Sequence, residues 1–186
     1  MVHFSATAVY ENEGGTSHIA RDLDEQLTVE QCLYGIMLES ANECAYAIAE
    51  HVGQKLGGNY QTFIDLMNSR AKELGCQDTH FNNCNGLPDE NHYVSAYDMA
   101  LISAAAYKNE TFRIITGAPS YTIPVTNKHD DPYYCHNHHK MIYPWQGDTH
   151  ICMIIVLAAR PASRKWREAR WYRSRRRTEL HWCVLC

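Results

Sequence analysis

In "MLESANECAYAIAEHVG", residues 37–53, Ser40 and Asn42 stand two apart where an apolar helical pattern breaks and at once resumes. A hydroxyl and a primary amide at that spacing can face one cleft. The sharper reading is that both side chains project into a catalytic cleft. The plainer reading is a solvent turn, because Ser-x-Asn triplets are common and mostly turns. A second cluster, Cys135, His136, His138 and His139 in "YYCHNHHKM", has the donor types of a zinc site. Four donors within five residues rarely converge on one ion without a partner loop, so no metal is expected there. "THFNNCNGL", with Asn82, Asn83, Asn85 and Gly86, reads as a tight hydrogen-bonded turn. Tyr97 and Asp98 read as helix-start and core residues rather than reacting acids.

Positioning Ser40 and Asn42 falls to a helical framework. Thr28 with Gln31 spells a capping box, and "VEQCLYGIML" follows with Cys32, Leu33, Ile36 and Met37 on one side. After the Ser40-Ala41-Asn42 break, "ECAYAIAEHV" predicts a second helix closed at Gly53 by a left-handed cap. "NYQTFIDLMNSRAKELG" carries the clearest amphipathic stripe, Phe63, Ile64, Met67, Ala71 and Leu74, ended by Gly75. The opening "HFSATAVYENEGGTSHIA" reads as a short strand and turn, and "THFNNCNGLPDENHY" as a loop. Ser95 with Asp98 starts a helix over "AYDMALISAAAY", a short helix at "ETFRIIT" stops at Gly117, and "SYTIPV" is a strand. Several helices with few strands predict the helical part of an α+β protein.

At 186 residues the chain holds one domain with a real core, or a piece of something larger. No run of roughly eighteen apolar residues occurs, so no membrane span is expected. Met1 opens no secretory signal pattern, lacking a basic start and an apolar middle. The eight cysteines are expected as scattered free thiols, with Cys32 and Cys44 acting as small core residues. Charge divides the chain sharply. Residues 1–150 carry 8 Lys and Arg against 19 Asp and Glu, a balance of −11, whereas residues 151–186 carry 9 against 2, a balance of +7. That basic tail could neutralise phosphates. Neither basic repeats nor aromatic platforms accompany it, so no nucleic-acid partner is expected.

The order of "LTVEQCLYGIMLESANECAYAIAEHVG", "FIDLMNSRAKELGCQDTHFNNCNGL" and "HYVSAYDMALISAAA" resembles the serine-type D-Ala-D-Ala carboxypeptidases, the low-molecular-mass penicillin-binding proteins. The resemblance runs from roughly residue 1 to residue 145. It implies the α+β, β-lactamase/DD-peptidase-like fold of the penicillin-recognising serine enzymes, here mainly the helical lobe with an incomplete sheet. It also implies hydrolysis of the terminal D-Ala of peptidoglycan pentapeptide stems through an acyl-serine, at an extracytoplasmic location. Partners would be stem peptides ending in D-Ala-D-Ala and, for the complete enzyme, β-lactams, with no cofactor and no metal. The family works with three elements, Ser-x-x-Lys, Ser-x-Asn and Lys-Thr-Gly. Lysine activates the serine nucleophile, and a second serine relays a proton towards the leaving D-alanine nitrogen. The asparagine amide bonds both the lysine and the substrate's backbone carbonyl, and the Lys-Thr-Gly strand grips the terminal carboxylate. By this resemblance Ser40 takes the proton-relay role and Asn42 the substrate-orienting role. Ala41 departs from the family's usual glycine.

Two of the three elements are not spelled out. Neither Ser5 nor Ser17, which precede Ser40, has a lysine three positions on. Ser69-Arg70-Ala71-Lys72 fits the spelling but belongs to the amphipathic helix, and is rejected as the nucleophile. Where Lys-Thr-Gly should follow, the chain turns into "ICMIIVLAARPASRKWREARW". Joining each codon's third base to the next codon's first two, Ala158 to Ala162 permit Gly-Gly-Lys-Thr-Gly. A frameshift near residues 146–152 is therefore expected, making the Arg- and Trp-rich tail, 151–186, out-of-frame sequence behind a partial catalytic domain, 1–150. On that reading the chain is an inactive internal piece of the family. The competing reading is a non-catalytic binding domain with a basic tail. Covalent labelling by a penicillin separates the two.

Overall fold

A computed structural model describes residues 1–11, 15–139 and 142. The basic tail and the frame break near residues 146–152 lie outside the described residues. In chain order the elements are β1 (Val2–His3), α1 (Ala6–Tyr10), β2 (Gln26–Leu27), α2 (Val29–Glu39), α3 (Asn42–Lys55) and α4 (Tyr60–Glu73). They continue with β3 (Thr79–His80), β4 (Tyr93–Val94), α5 (Ala96–Tyr107), α6 (Glu110–Gly117), β5 (Ser120–Ile123) and β6 (Tyr133–His136). Strands pair antiparallel two by two: β1 with β2, β3 with β4 and β5 with β6. Among the described residues this is a mostly helical α+β arrangement, as expected.

Helix α3 explains the alanine run. Cys44 and Ala47 face a core built from Phe4, Ile19, Leu27, Leu38 and Ile123. Ala45 and Ala49 face a second cluster with Ile64 of α4 and Cys84. A helix covered on two sides needs short side chains if both neighbours are to pack closely. Phe63 and Met67 of the α4 stripe lie half-buried on that second cluster. The rings of Tyr46 and Tyr60 stack beside them at 4.3 Å between centroids.

Thr28 caps α2 through the full capping box with Gln31. The buried face of α2 is Cys32, Tyr34, Gly35 and Leu38; Leu33, Ile36 and Met37 are only half-buried. The expected stripe does pack against the core, but it is not the most buried face, because the β5–β6 hairpin covers α2 from a second direction. Tyr34 stacks on Tyr121 of that hairpin, with centroids 3.8 Å apart and planes 5° from parallel.

Gly53 does not close α3. The helix runs on to Lys55, and the left-handed residue is Gly57, at φ 81°. Gly53 serves a different need. A Cβ on it would stand 2.0 Å from the carbonyl oxygen of Asn59, so only hydrogen fits where the chain folds back into α4. Residues 6–10 form a helix inside the segment expected as strand and turn. Its start is set by Ser5, whose Oγ accepts the amide of Ala8 and donates to Glu50 Oε2 on α3. Five residues are too few to display a period.

The Asn-rich loop between β3 and β4 is built as its composition suggests. Asn83 accepts the Gly86 amide and donates to the Leu87 carbonyl, and Gly86 sits at φ 73°. Ser95 caps α5, and Asp98 is buried.

Candidate active site

Ser40 ends α2 in the left-handed region, at φ 58° and ψ 40°. That conformation costs a residue bearing a Cβ about 1 kcal/mol. The amides of Ser40 and Ala41 turn back to the carbonyls of Ile36 and Gly35, closing the helix. Ala41 is buried, and α3 begins at Asn42 with no side-chain cap. The break in the helical pattern is therefore a sharp corner between two packed helices, with the Ser40 side chain half-exposed at its tip.

Asn42 lies deeper, at 3% exposure. Its backbone N–H and its Nδ2 both donate to the carbonyl of Ser17, each at 3.0 Å. One amide hydrogen is thus committed to the segment running past the corner. A primary amide has further donor and acceptor capacity beyond that bond.

Two carboxylates flank the corner, and neither stood out in the sequence. Glu39 Oε1 accepts the backbone N–H of His136 at 2.6 Å, and Oε2 lies 2.7 Å from Nε2 of His138. Glu43 is 2% exposed and accepts the N–H of Ile19 on Oε1 at 2.6 Å. Its Oε2 is buried without a hydrogen-bond partner among the described residues. Burial pushes the Glu43 carboxyl above its ordinary range, against the opposing pull of the Ile19 amide and of the His18 and Arg21 charges.

Behind Ile19 lies a buried ion pair. Arg21 grips the Ile19 carbonyl through Nε and Nη2, donates to Glu25 Oε1 at 2.9 Å, and lies over the ring of Tyr133. Glu25 is fully buried and also accepts the Thr126 hydroxyl at 2.8 Å and the Asp22 amide. Gln26 N–H donates to Asn127 Oδ1, and Asn127 Nδ2 donates to the Asp24 carbonyl. The loop after β5 is stapled in this way to the strand pair that starts the chain.

The remaining sequence candidates separate. Strand alternation turns Cys135 inward and His136 outward, while His138 is taken up by Glu39. The four donors of "YYCHNHHKM" therefore do not converge. Ser69 and Lys72 lie exposed on α4, far from the corner in sequence and on a different helix. Signals for the flanking pair did exist: Glu39 and Glu43 are four apart, and Glu43, in the first turn of α3, is followed by the apolar run 44–49.

A family model described as D-alanyl-D-alanine carboxypeptidase matches residues 1–146. The D-alanyl-D-alanine carboxypeptidase DacF of Bacillus subtilis (strain 168) is 36% identical over 133 residues, covering 72% of this chain and 33% of that protein. The D-alanyl-D-alanine carboxypeptidase of Streptomyces sp. (strain K15) is 32% identical over 122 residues, covering 64% of this chain and 41% of that protein. The crystal structure of the Streptomyces K15 DD-transpeptidase superposes with a TM-score of 0.67 at 28% identity, covering 78% of this chain and 58% of that one. The chain thus spans well under two thirds of the length of each of these proteins.

Proposed function

This chain belongs to the D-alanyl-D-alanine carboxypeptidase family, and on that ground we propose that the whole protein removes the terminal D-alanine from peptidoglycan stem peptides. Reaction would pass through an acyl-serine, at an extracytoplasmic site, with β-lactams acylating the same serine. The nucleophile and its lysine would be supplied from outside residues 1–186, consistent with the larger size of the relatives. No described helix is long and apolar enough to cross a membrane.

Ser40 and Asn42 are the residues of this chain assigned to the site. The Ser40 hydroxyl passes a proton to the departing D-alanine nitrogen as the acyl-serine forms. The Asn42 amide orients the stem peptide's carbonyl. One observation carries this reading: a strained, left-handed serine at a half-exposed corner, with a buried asparagine two residues on, inside the matched region. A corner serving only as a turn would be better filled by glycine, which takes φ 58° without cost. D-Alanine release from a diacylated L-Lys-D-Ala-D-Ala peptide by the full-length protein tests it, together with covalent labelling by a fluorescent penicillin. Both are expected; a folded full-length protein showing neither would refute the activity.

The tail, 151–186, is proposed to be out-of-frame sequence. The family match ends at residue 146, ahead of the net-positive stretch 151–186, which supports that reading. Sequencing the gene across codons 140–165 checks it. The shifted frame is expected to read Gly-Gly-Lys-Thr-Gly at codons 158–162, and any other reading there removes the proposal.

A further inference from the structure

We infer that Glu39 and Glu43 are positioning residues that fasten the Ser40-Ala41-Asn42 corner to the two chain segments on either side of it. The inference rests on the assignment of Ser40 and Asn42 to the reaction. Glu39 reaches the backbone of β6, accepting the His136 amide at 2.6 Å, and meets the His138 ring at 2.7 Å. Glu43 reaches the opposite way, to the Ile19 amide at 2.6 Å. Both carboxylates take backbone N–H groups, so what each fixes is the location of a chain segment. The two segments are nearly a hundred and roughly two dozen residues away in sequence.

The chemistry of Glu43 argues against a purely stabilising role. A carboxyl taken almost fully out of water, with one oxygen satisfied and the other without a hydrogen-bond partner among the described residues, is a poor source of stability. An apolar side chain would pack that helix start at less cost. What a carboxyl supplies there, and an apolar group does not, is a directed acceptor for Ile19. Asn42 reinforces the same seam through its two bonds to Ser17. Helix capping alone closes the corner locally, yet leaves it free to swing as a unit. Anchors on both sides remove that swing, and displacement of a catalytic group by even ~1 Å can cost about 10²-fold in rate.

Amide hydrogen exchange on the 186-residue chain tests the geometry without any activity. In Glu39→Ala and in Glu43→Ala, protection at Ser40, Ala41 and Asn42 is expected to fall at least several-fold. Protection along the middle of α3 should hold, whereas general destabilisation would lower it in step. Glu43→Gln keeps an acceptor for Ile19 and should restore the corner. In the full-length protein the same two alanine variants, normalised for folded fraction, are expected to lose about tenfold or more in kcat with KM within a few-fold, and Glu43→Gln to recover. Unchanged corner protection in both alanine variants overturns the inference. So does a loosened corner with unchanged kcat, or a Glu43→Gln protein as impaired as Glu43→Ala. If Glu43→Ala does not fold, Glu39→Ala and Glu43→Gln decide the matter. A full-length wild-type protein that releases no D-alanine refutes the proposed reaction instead, and the exchange results still decide whether the carboxylates position the corner.

Discussion

Ser40→Ala in the full-length protein is expected to lower D-alanine release by about 10²–10⁴-fold, the usual worth of a positioned proton donor. The fold should hardly notice. The corner is held by the backbone bonds of Ser40 and Ala41 to Ile36 and Gly35, which alanine retains. The serine side chain is half-exposed, and such sites usually tolerate substitution within about 0.5 kcal/mol. Ser40→Gly sharpens the test. Glycine relieves the left-handed strain at φ 58°, so the protein should gain up to about 1 kcal/mol while losing the same activity. A hydroxyl that matters only for the turn would give the reverse pattern, with glycine as active as serine or more so. Steady-state kinetics and thermal unfolding on the two variants separate these outcomes. Activity within a few-fold of wild type in both would end the proton-relay assignment.

Asp98→Ala is expected to cost about 3–5 kcal/mol of folding free energy, the penalty typical of breaking a buried charged network. Asp98 is 1% exposed, and its Oδ2 accepts the amides of Gln77 and Asp78 and the hydroxyl of Thr79, at 3.1, 2.7 and 2.6 Å. Alanine leaves those donors without an acceptor beneath the β3–β4 pair. Burial alone would raise this carboxyl, but the bonds from Thr79, Asp78, Gln77 and Ser95 outweigh it, and it is held below its ordinary range. The sign of the pH effect follows. A lowered group binds fewer protons folded than unfolded, so its contribution is present above the ordinary carboxylate range and is lost as pH falls through the depressed value. Urea unfolding from neutral to acid pH measures both effects. Asp98→Asn should be less stable at neutral pH and lose less on acidification. A midpoint for Asp98→Ala corresponding to a loss under about 1 kcal/mol would contradict the role given to this carboxylate.

Much of this architecture was legible from local patterns. Thr28 and Gln31 place the start of α2, Ser95 starts α5, and Gly75, at φ 90°, stops α4. Each of these signals is carried by one to four neighbouring residues and needs no tertiary partner. The fold class follows as well: the described residues form the DD-peptidase-like α+β arrangement expected, mainly helices with three small sheets. Legibility fails where distant chain decides. Gly53 looks like a cap by sequence, yet its smallness answers to the Asn59 carbonyl across the next turn. The most buried face of α2 is not the expected stripe, because a hairpin from residues 120–136 covers the helix from a second direction. At the corner, Ser40 and Asn42 were readable as types at a spacing. Glu39 and Glu43 were readable only as carboxylates four apart beside an apolar run; their partners, His136 and Ile19, can be known only once the chain is folded. Arg21 and Glu25 look like ordinary surface charges in "RDLDEQ", and only the loop carrying Thr126 and Asn127 makes their burial possible.

That last staple sets an order of events as the chain emerges. Gln26 and Glu25 wait for partners 101 residues further along. At about 5–20 residues per second, roughly 5–20 s of synthesis separate one from the other. Throughout that interval the opening strand pair has no lid over its ion pair, and Glu25 stays hydrated. The helices after it can collapse early on local signals, but the segment that braces Asn42 is sealed only when the loop after β5 has emerged. Bracing of the Ser40–Asn42 corner on that side therefore depends on contacts that span 101 residues of chain.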